Sequence, residues 1–256
     1  VGIPTLWHIE ISHYNEKARW ALDYKGVAHR RRAPLPGILH PPVALALSGR
    51  PTLPILSIDG QRIRDSTAII AELERRYPDP PLYPADPDDR ARALAIEDYF
   101  DEEVAHRIRR LIFGELAENR GSARTAVRLI GYSLPPGRSG DITAGALSRI
   151  FTTYYGGRRS RVAEDRRRIT EGFERLEAEI QPTGFLAGDS FSVADLSAAA
   201  LLMHFALPAE LQYPLPGYPP ALEAYRTSLP PVAVEWVQRI WREHRPASAA
   251  ISGQAR

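Results

Sequence analysis

A proline sits where a strand ought to exclude it. Thr52-Leu53-Pro54-Ile55-Leu56 opens an apolar run that reads as a strand over Leu53 to Ile58. Proline gives no donor to a sheet ladder and is normally kept out of a strand interior. Its retention here points to a cis peptide, which is a specific feature and not a default. Asp59-Gly60 then reverses the chain into a second strand, Gln61 to Arg64, because Asp-Gly between two strand-like runs is a strong hairpin signal. Asp65-Ser66 opens an amphipathic helix to Tyr77 with Ile69, Ile70 and Leu73 on one face.

The rest of the first third alternates in the same way. Leu6 to Ile9 reads as a short strand, Glu16 to Tyr24 as a helix stopped by Gly26, and His29 to Ala33 as an edge strand. Val43 to Leu47, after Pro41-Pro42, gives a weak helix. Tyr77 to Pro87 is a proline-dense linker, and proline blocks helix continuation on both sides of it. Beyond it the pattern is helical. The candidates are Arg90 to Leu116, Val162 to Ile180, Val193 to Phe205, Ala221 to Leu229 and Val232 to His244. This predicts two domains, residues 1–80 as a small α/β unit and 88–245 as an all-helical unit, with 246–256 frayed. Residues 121–157 break the rhythm, either as an extended segment over a substrate mouth or as a surface excursion.

Composition removes several classes of function. The 256 residues contain no cysteine, which excludes disulfides, thiolate metal sites and a cysteine nucleophile. The seven histidines show no metal-ligand spacing, so no metal is expected, and there is no Gly-rich phosphate loop. The formal charge is +2, and the Arg166-Arg167-Arg168 run is flanked by Glu164, Asp165 and Glu171. No one-sided basic field is present, so no nucleic-acid partner is expected. No apolar run is long enough for a bilayer and no leader pattern is visible, so the expected setting is cytoplasmic, with no membrane partner.

Two loops carry the candidate chemistry. Ser12-His13-Tyr14-Asn15 lies between the first strand and first helix, where a hydroxyl and a helix N-terminus together stabilise an anion such as a thiolate. Ser12 or Asn15 also suits plain helix capping. Asp65-Ser66 likewise reads both as a cap, with Ser66 as N-cap, and as an anchor for a carboxylate at the positive helix end. Phe191-Ser192-Val193-Ala194-Asp195 is a capping box, Asp195 replacing the commoner Glu, with Phe191 available as a hydrophobic staple. His204 and Met203 on that helix read as core.

Taken in order, these motifs resemble the glutathione transferase superfamily, serine type, over nearly the whole chain except residues 121–157 and the tail. The resemblance implies an α/β plus all-α fold: a thioredoxin-like domain followed by a helical bundle. It implies glutathione as co-substrate, a small electrophile as second substrate, a homodimer and a detoxification role. Ser12 aligns with the family's catalytic serine, while His13 replaces the usual proline. The group meeting the sulfur therefore stays open among Ser12, Tyr14 and Asn15. Leu53 and Pro54 would pair with the glutathione backbone, Asp65 and Ser66 would hold its γ-glutamyl end, and His40, Arg50 and Thr52 would face its glycyl carboxylate. Tyr99, Phe100, His106 and the Phe151 to Tyr155 cluster are acceptor-pocket candidates. Two further functions share the fold: a glutathione-dependent disulfide reductase or isomerase, and a non-catalytic interaction module.

Overall fold

The computed structural model describes residues 2–118, 123–129, 132–156, 158–215 and 217–251. Strands β1 (Thr5–Trp7), β2 (Arg30–Arg32), β3 (Ile55–Ile58) and β4 (Gln61–Arg64) form one mixed sheet in the order β2-β1-β3-β4. The first pair is parallel and the others antiparallel, with Leu6 opposite Arg31 on one side and Leu56 on the other. Helices α1 (His13–Tyr24) and α3 (Ser66–Arg76) cover one face through Ala18, Leu22, Ile69, Ile70 and Leu73. Helix α2 (His40–Ser48) covers the other through Ala44, against Ile9, Leu53 and Ile55. This is a thioredoxin-like domain, and its Leu53–Pro54 peptide is cis. Pro54 stays outside the ladder: β3 begins one residue later than the proline, so no sheet hydrogen bond is lost.

A helical domain follows the linker, which contains a second cis peptide at Asp79–Pro80. Its elements are α4 (Pro87–Tyr99), α5 (His106–Glu118), α6 (Ala123–Leu129), α7 (Arg138–Tyr154), α8 (Val162–Glu179), α9 (Val193–Leu201), α10 (Met203–Ala206), α11 (Pro220–Thr227) and α12 (Pro231–His244). The single helix expected over Arg90 to Leu116 is interrupted. Phe100–Ala105 is a π-helical turn between α4 and α5, a geometry that recurs at functional sites. Helix α9 is buried on every side. Asp195 anchors its start, accepting from Leu186 N, Ser192 N and Ser192 Oγ, each at 2.9 Å. Burial pushes that carboxyl up to about 6. Phe191 stacks on His244, with ring centroids 4.7 Å apart.

Several local expectations are corrected. Asp65, not Ser66, is the N-cap of α3. The tail is not frayed through residue 251: Ile251 N donates to His29 O at 2.9 Å and Ala249 N to Asp23 Oδ1 at 2.8 Å, so it runs beside the β2 edge. Residues 252–256 lie outside the described residues. The 121–157 segment is mainly the α6–α7 hairpin, and parts of it (121–122, 130–131 and 157) are outside the described residues. It docks on the thioredoxin-like domain, where Tyr132 Oη donates to Pro36 O at 2.7 Å. Phe151 packs so closely on Gly37 (φ +76°) that a Cβ there would enter its ring.

The two domains are joined through α1. Lys17 Nζ is fully buried and meets Glu97 Oε1 at 2.8 Å, Asp101 Oδ2 at 2.9 Å and Thr67 Oγ1 at 2.8 Å. Trp20 packs on Trp241 at 4.8 Å and donates Nε1 to His244 O at 3.0 Å. Removing one member of a buried ion pair leaves an uncompensated charge and costs about 3–5 kcal/mol, whereas removing both is far milder. Lys17→Met should therefore lower unfolding stability by about 3–5 kcal/mol in urea titrations, and Lys17→Met with Glu97→Leu should recover part of the loss. A single variant as stable as the parent contradicts a structural role for the pair.

Candidate functional site

The loop between β1 and α1 presents Ser12 at the domain boundary. Ser12 is the N-cap of α1, and its Oγ accepts from Asn15 N at 3.4 Å and from Asn15 Nδ2 at 2.7 Å. Asn15 is buried. Its Oδ1 accepts from Ile9 N at 3.1 Å, and its Nδ2 also reaches Leu53 O at 3.4 Å. The amide thus ties the loop after β1, α1 and the Leu53 loop together while holding the serine oxygen. Among the described residues nothing accepts the Ser12 hydroxyl proton, so it is available to a ligand. Tyr14 differs. Its hydroxyl donates to the Asp101 carbonyl at 3.0 Å, and burial followed by the Asp101 charge pushes it well above the ordinary phenol range.

Two cavities meet here. One is a cleft of about 560 Å³ with Thr52, Leu53, Pro54, Asp65 and Ser66 on the thioredoxin-like side. Asp101, Glu102 and His106 line the helical side. The other is a smaller pocket of about 90 Å³ holding Ser12, His13, His40, Tyr154, Tyr155 and His204 among apolar side chains. Tyr14, Thr52, Leu53 and Arg109 line both. Ser12 therefore stands in the pocket, beside the wall that it shares with the cleft.

At the far end of the cleft Asp65 holds a positive φ of 75°, unusual for a residue with a side chain. Such backbone costs about 1–3 kcal/mol and gathers at binding sites. The conformation lets Asp65 Oδ1 cap Thr67 N at 2.9 Å and Ala68 N at 3.4 Å. Ser66 is buried, and its Oγ has no partner among the described residues. A hydroxyl at a helix N-terminus with no protein partner is suited to an incoming anion. Asp101 Oδ1 is likewise unpartnered among the described residues and can take a cationic group.

Of the sequence candidates, Thr52, Leu53, Pro54, Asp65 and Ser66 share the cleft with Arg50. His40 lies in the pocket instead. Its Nδ1 accepts from Gly37 N at 2.6 Å, and Nε2 faces Tyr154 Oη at 3.4 Å. Tyr99 and Phe100 are not pocket residues: Tyr99 carries Arg175 over its ring at 3.8 Å, and Phe100 is core. Phe151 is core as well, whereas Tyr154 and Tyr155 reach the pocket, Tyr155 stacked on Phe113 at 4.5 Å. Sequence reasoning missed Asp101, Arg109 and the pocket role of His13 and His204. A helical wheel puts His13 on α1, Arg109 on α5 and His204 on α10, but does not say which cavity those faces meet, and Asp101 lies in the π-helical turn. His204, although buried and bonded to Tyr218 Oη at 2.8 Å, borders the pocket.

Burial keeps the pocket imidazoles neutral near pH 7. It pushes His40 and His204 down to about 4 each, and His13 well below the usual range. Among the described residues no three His, Asp or Glu side chains stand together as metal ligands, and no helix is long and apolar enough to cross a membrane.

Comparison with known proteins places this geometry. The glutathione S-transferase N-terminal domain model matches residues 6–81, and the glutathione S-transferase C-terminal domain model matches residues 159–228. Among solved structures, a glutathione S-transferase from Methylobacterium radiotolerans in complex with glutathione sulfonate is 19% identical, with TM-score 0.61 and 100% of each chain covered. A theta class glutathione S-transferase from Xanthomonas axonopodis pv. citri with glutathione bound is 21% identical, with TM-score 0.58, covering 93% of this chain and 98% of that one. A bacterial zeta class maleyl pyruvate isomerase is 22% identical, with TM-score 0.57, covering 93% and 92%. No curated protein sequence is significantly similar to the chain.

The lowered histidines fix the sign of a pH effect. Their unfolded value of 6.5 exceeds their folded value of about 4, so protonation favours the unfolded chain. Their contribution is complete above pH 6.5 and is lost as pH falls from there towards 4. Each fully shifted group steepens the fall by up to about 1.4 kcal/mol per pH unit. In urea titrations from pH 7 to 4, His40→Gln should lose stability less steeply than the parent. Parallel curves contradict a neutral buried His40.

Proposed function

This chain belongs to the glutathione S-transferase superfamily, and from that premise we propose that it binds glutathione in the cleft, activates the thiol at Ser12 and adds it to a small electrophile held in the adjoining pocket. The observation that carries the reading is the state of Ser12 Oγ: doubly accepting from Asn15, with its own proton uncommitted, at the N-terminus of α1. A free thiol ionises near pH 8.5 and is mostly protonated at pH 7. A hydroxyl donor and a helix N-terminus both favour the thiolate, the nucleophilic form. Asn15 acts as a positioning residue, since its amide is spent within the fold. Tyr14 is the weaker candidate, because its proton is already given to Asp101 O.

The remaining peptide fits the charges on the cleft walls. The γ-glutamyl carboxylate meets the α3 N-terminus and the unpartnered Ser66 Oγ, while its ammonium sits between Asp65 and Asp101. Thr52 and Arg50 face the glycyl carboxylate, and the Leu53–Pro54 segment lies along the peptide backbone. Solved structures of the same fold carry glutathione or glutathione sulfonate, which supports glutathione as the ligand. His40, on the pocket side, takes the role of an acceptor-pocket residue. The homodimer reading rests on family membership alone.

Two measurements test the reading. Ser12→Ala should raise the pKa of enzyme-bound glutathione by one to two units, about 1.4–2.8 kcal/mol of lost thiolate stabilisation, and slow turnover at pH 7 roughly tenfold or more with little change in glutathione affinity. Thiolate absorbance titrated against pH reads this directly. An unmoved titration in Ser12→Ala, with a shift in Tyr14→Phe, assigns the chemistry to the tyrosine. Separately, Asp65→Asn keeps the cap and removes the charge, and should weaken glutathione binding by about 1.5–3 kcal/mol in calorimetry. Unchanged affinity removes Asp65 from the site.

A further inference from the structure

Helix α5 carries three neighbouring arginines, and two of them are committed to acids. Arg107 meets Glu103 at 3.4 Å, and Arg110 pairs with Asp165. Arg109 makes no hydrogen bond or ion pair among the described residues. Its guanidinium lies 5.7 Å from the centre of the Tyr155 ring and lines both the cleft and the pocket. Asp101 and Glu102 line the same cleft without pairing with it.

In the pocket the three imidazoles are neutral near pH 7, which leaves Arg109 as its charged group among the described residues. Glutathione has two carboxylates, and the cleft already offers each a partner, at the α3 N-terminus and at Arg50. Arg109 is surplus to that count. It stands at the shared wall with Ser12 in the pocket beside it, where an acceptor would meet the sulfur. A planar guanidinium matches the two oxygens of a carboxylate. The pocket is small, at about 90 Å³, and shares the Arg109 wall with the cleft, so a short acceptor with its anion at that wall suits it.

We propose that Arg109 selects the second substrate: a short, carboxylate-bearing electrophile, held by its anion at Arg109 with its reactive carbon turned to Ser12. This rests on the glutathione reading above. For an unsaturated keto acid the step is an addition. The thiol proton leaves to solvent, the sulfur bonds to one alkene carbon, and the C=C electron pair moves onto the keto oxygen as an enolate. The enolate carbon then takes a proton from solvent, so that sulfur and hydrogen have added across the double bond.

The test compares 4-oxopent-2-enoate with its methyl ester, each rate corrected for the uncatalysed reaction. The wild-type protein should prefer the acid by roughly tenfold in kcat/KM. Arg109→Gln should remove that preference while leaving the ester and the KM for glutathione within about twofold, and Arg109→Lys should restore part of it. No acid preference in the wild type, an equal loss on acid and ester, or a raised glutathione KM with the preference intact would overturn the proposal. A thiol-free arm separates it from the parent reading. Saturation-transfer NMR should show the saturated analogue 4-oxopentanoate bound to the wild type and not to Arg109→Gln, whether or not glutathione binds. Failure of the wild type to bind it also overturns the proposal.

Discussion

The buried ammonium of Lys17 is the contact on which the rest is arranged. Helix α1 has a polar residue at nearly every turn, yet it lies between the sheet and α9 with most of its side chains out of water. That is tolerable only because each charge is matched: Lys17 with Glu97 and Asp101, Arg19 with Glu16, and Glu16 and Asp23 with Arg245. Buried pairs of this kind seldom add net stability, but loss of one partner leaves a buried charge uncompensated. The lysines of this arginine-rich chain are Lys17 and Lys25, and both are buried. Lys25 reaches Glu74 Oε2 at 2.5 Å. A compact ammonium fits where a planar guanidinium would not.

Fixing α1 against the helical domain fixes the site. The same Asp101 that pairs with Lys17 receives the Tyr14 hydroxyl on its backbone carbonyl. The π-helical turn that contains Asp101 brings it and Glu102 onto the cleft wall. The loop carrying Ser12 is thus held from two sides, by Asn15 within its own domain and by Asp101 across the boundary. The α6–α7 hairpin closes a third side, setting Tyr154 against His40 and Pro51. Rigid support from several elements is what holds a reactive group in place.

Local signals in the sequence carried the thioredoxin-like half well. Pro54, Asp59-Gly60 and the Asp65 region each dictate a backbone shape within a few residues, and the hairpin and α3 formed where those signals put them. Ser192 and Asp195 did the same for the start of α9. What the sequence hid is non-local. Nothing near residue 101 announces a π-helical turn, and nothing near Arg109 says that Arg107 and Arg110 pair with Glu103 and Asp165 while it does not. The tail looked frayed because its residues are small, but its order comes from backbone bonding to His29 and Asp23, which side-chain composition does not encode. The resemblance puts His40 at the glycyl carboxylate, but α2 turns it into the pocket.

The most direct test is a crystal structure with glutathione bound. If Ser12 activates the thiol, the sulfur lies within hydrogen-bond distance of Ser12 Oγ at the wall between cleft and pocket, with the γ-glutamyl carboxylate on the α3 N-terminus beside Ser66. A sulfur directed at Tyr14 and away from Ser12, or a peptide bound outside the cleft, contradicts that assignment.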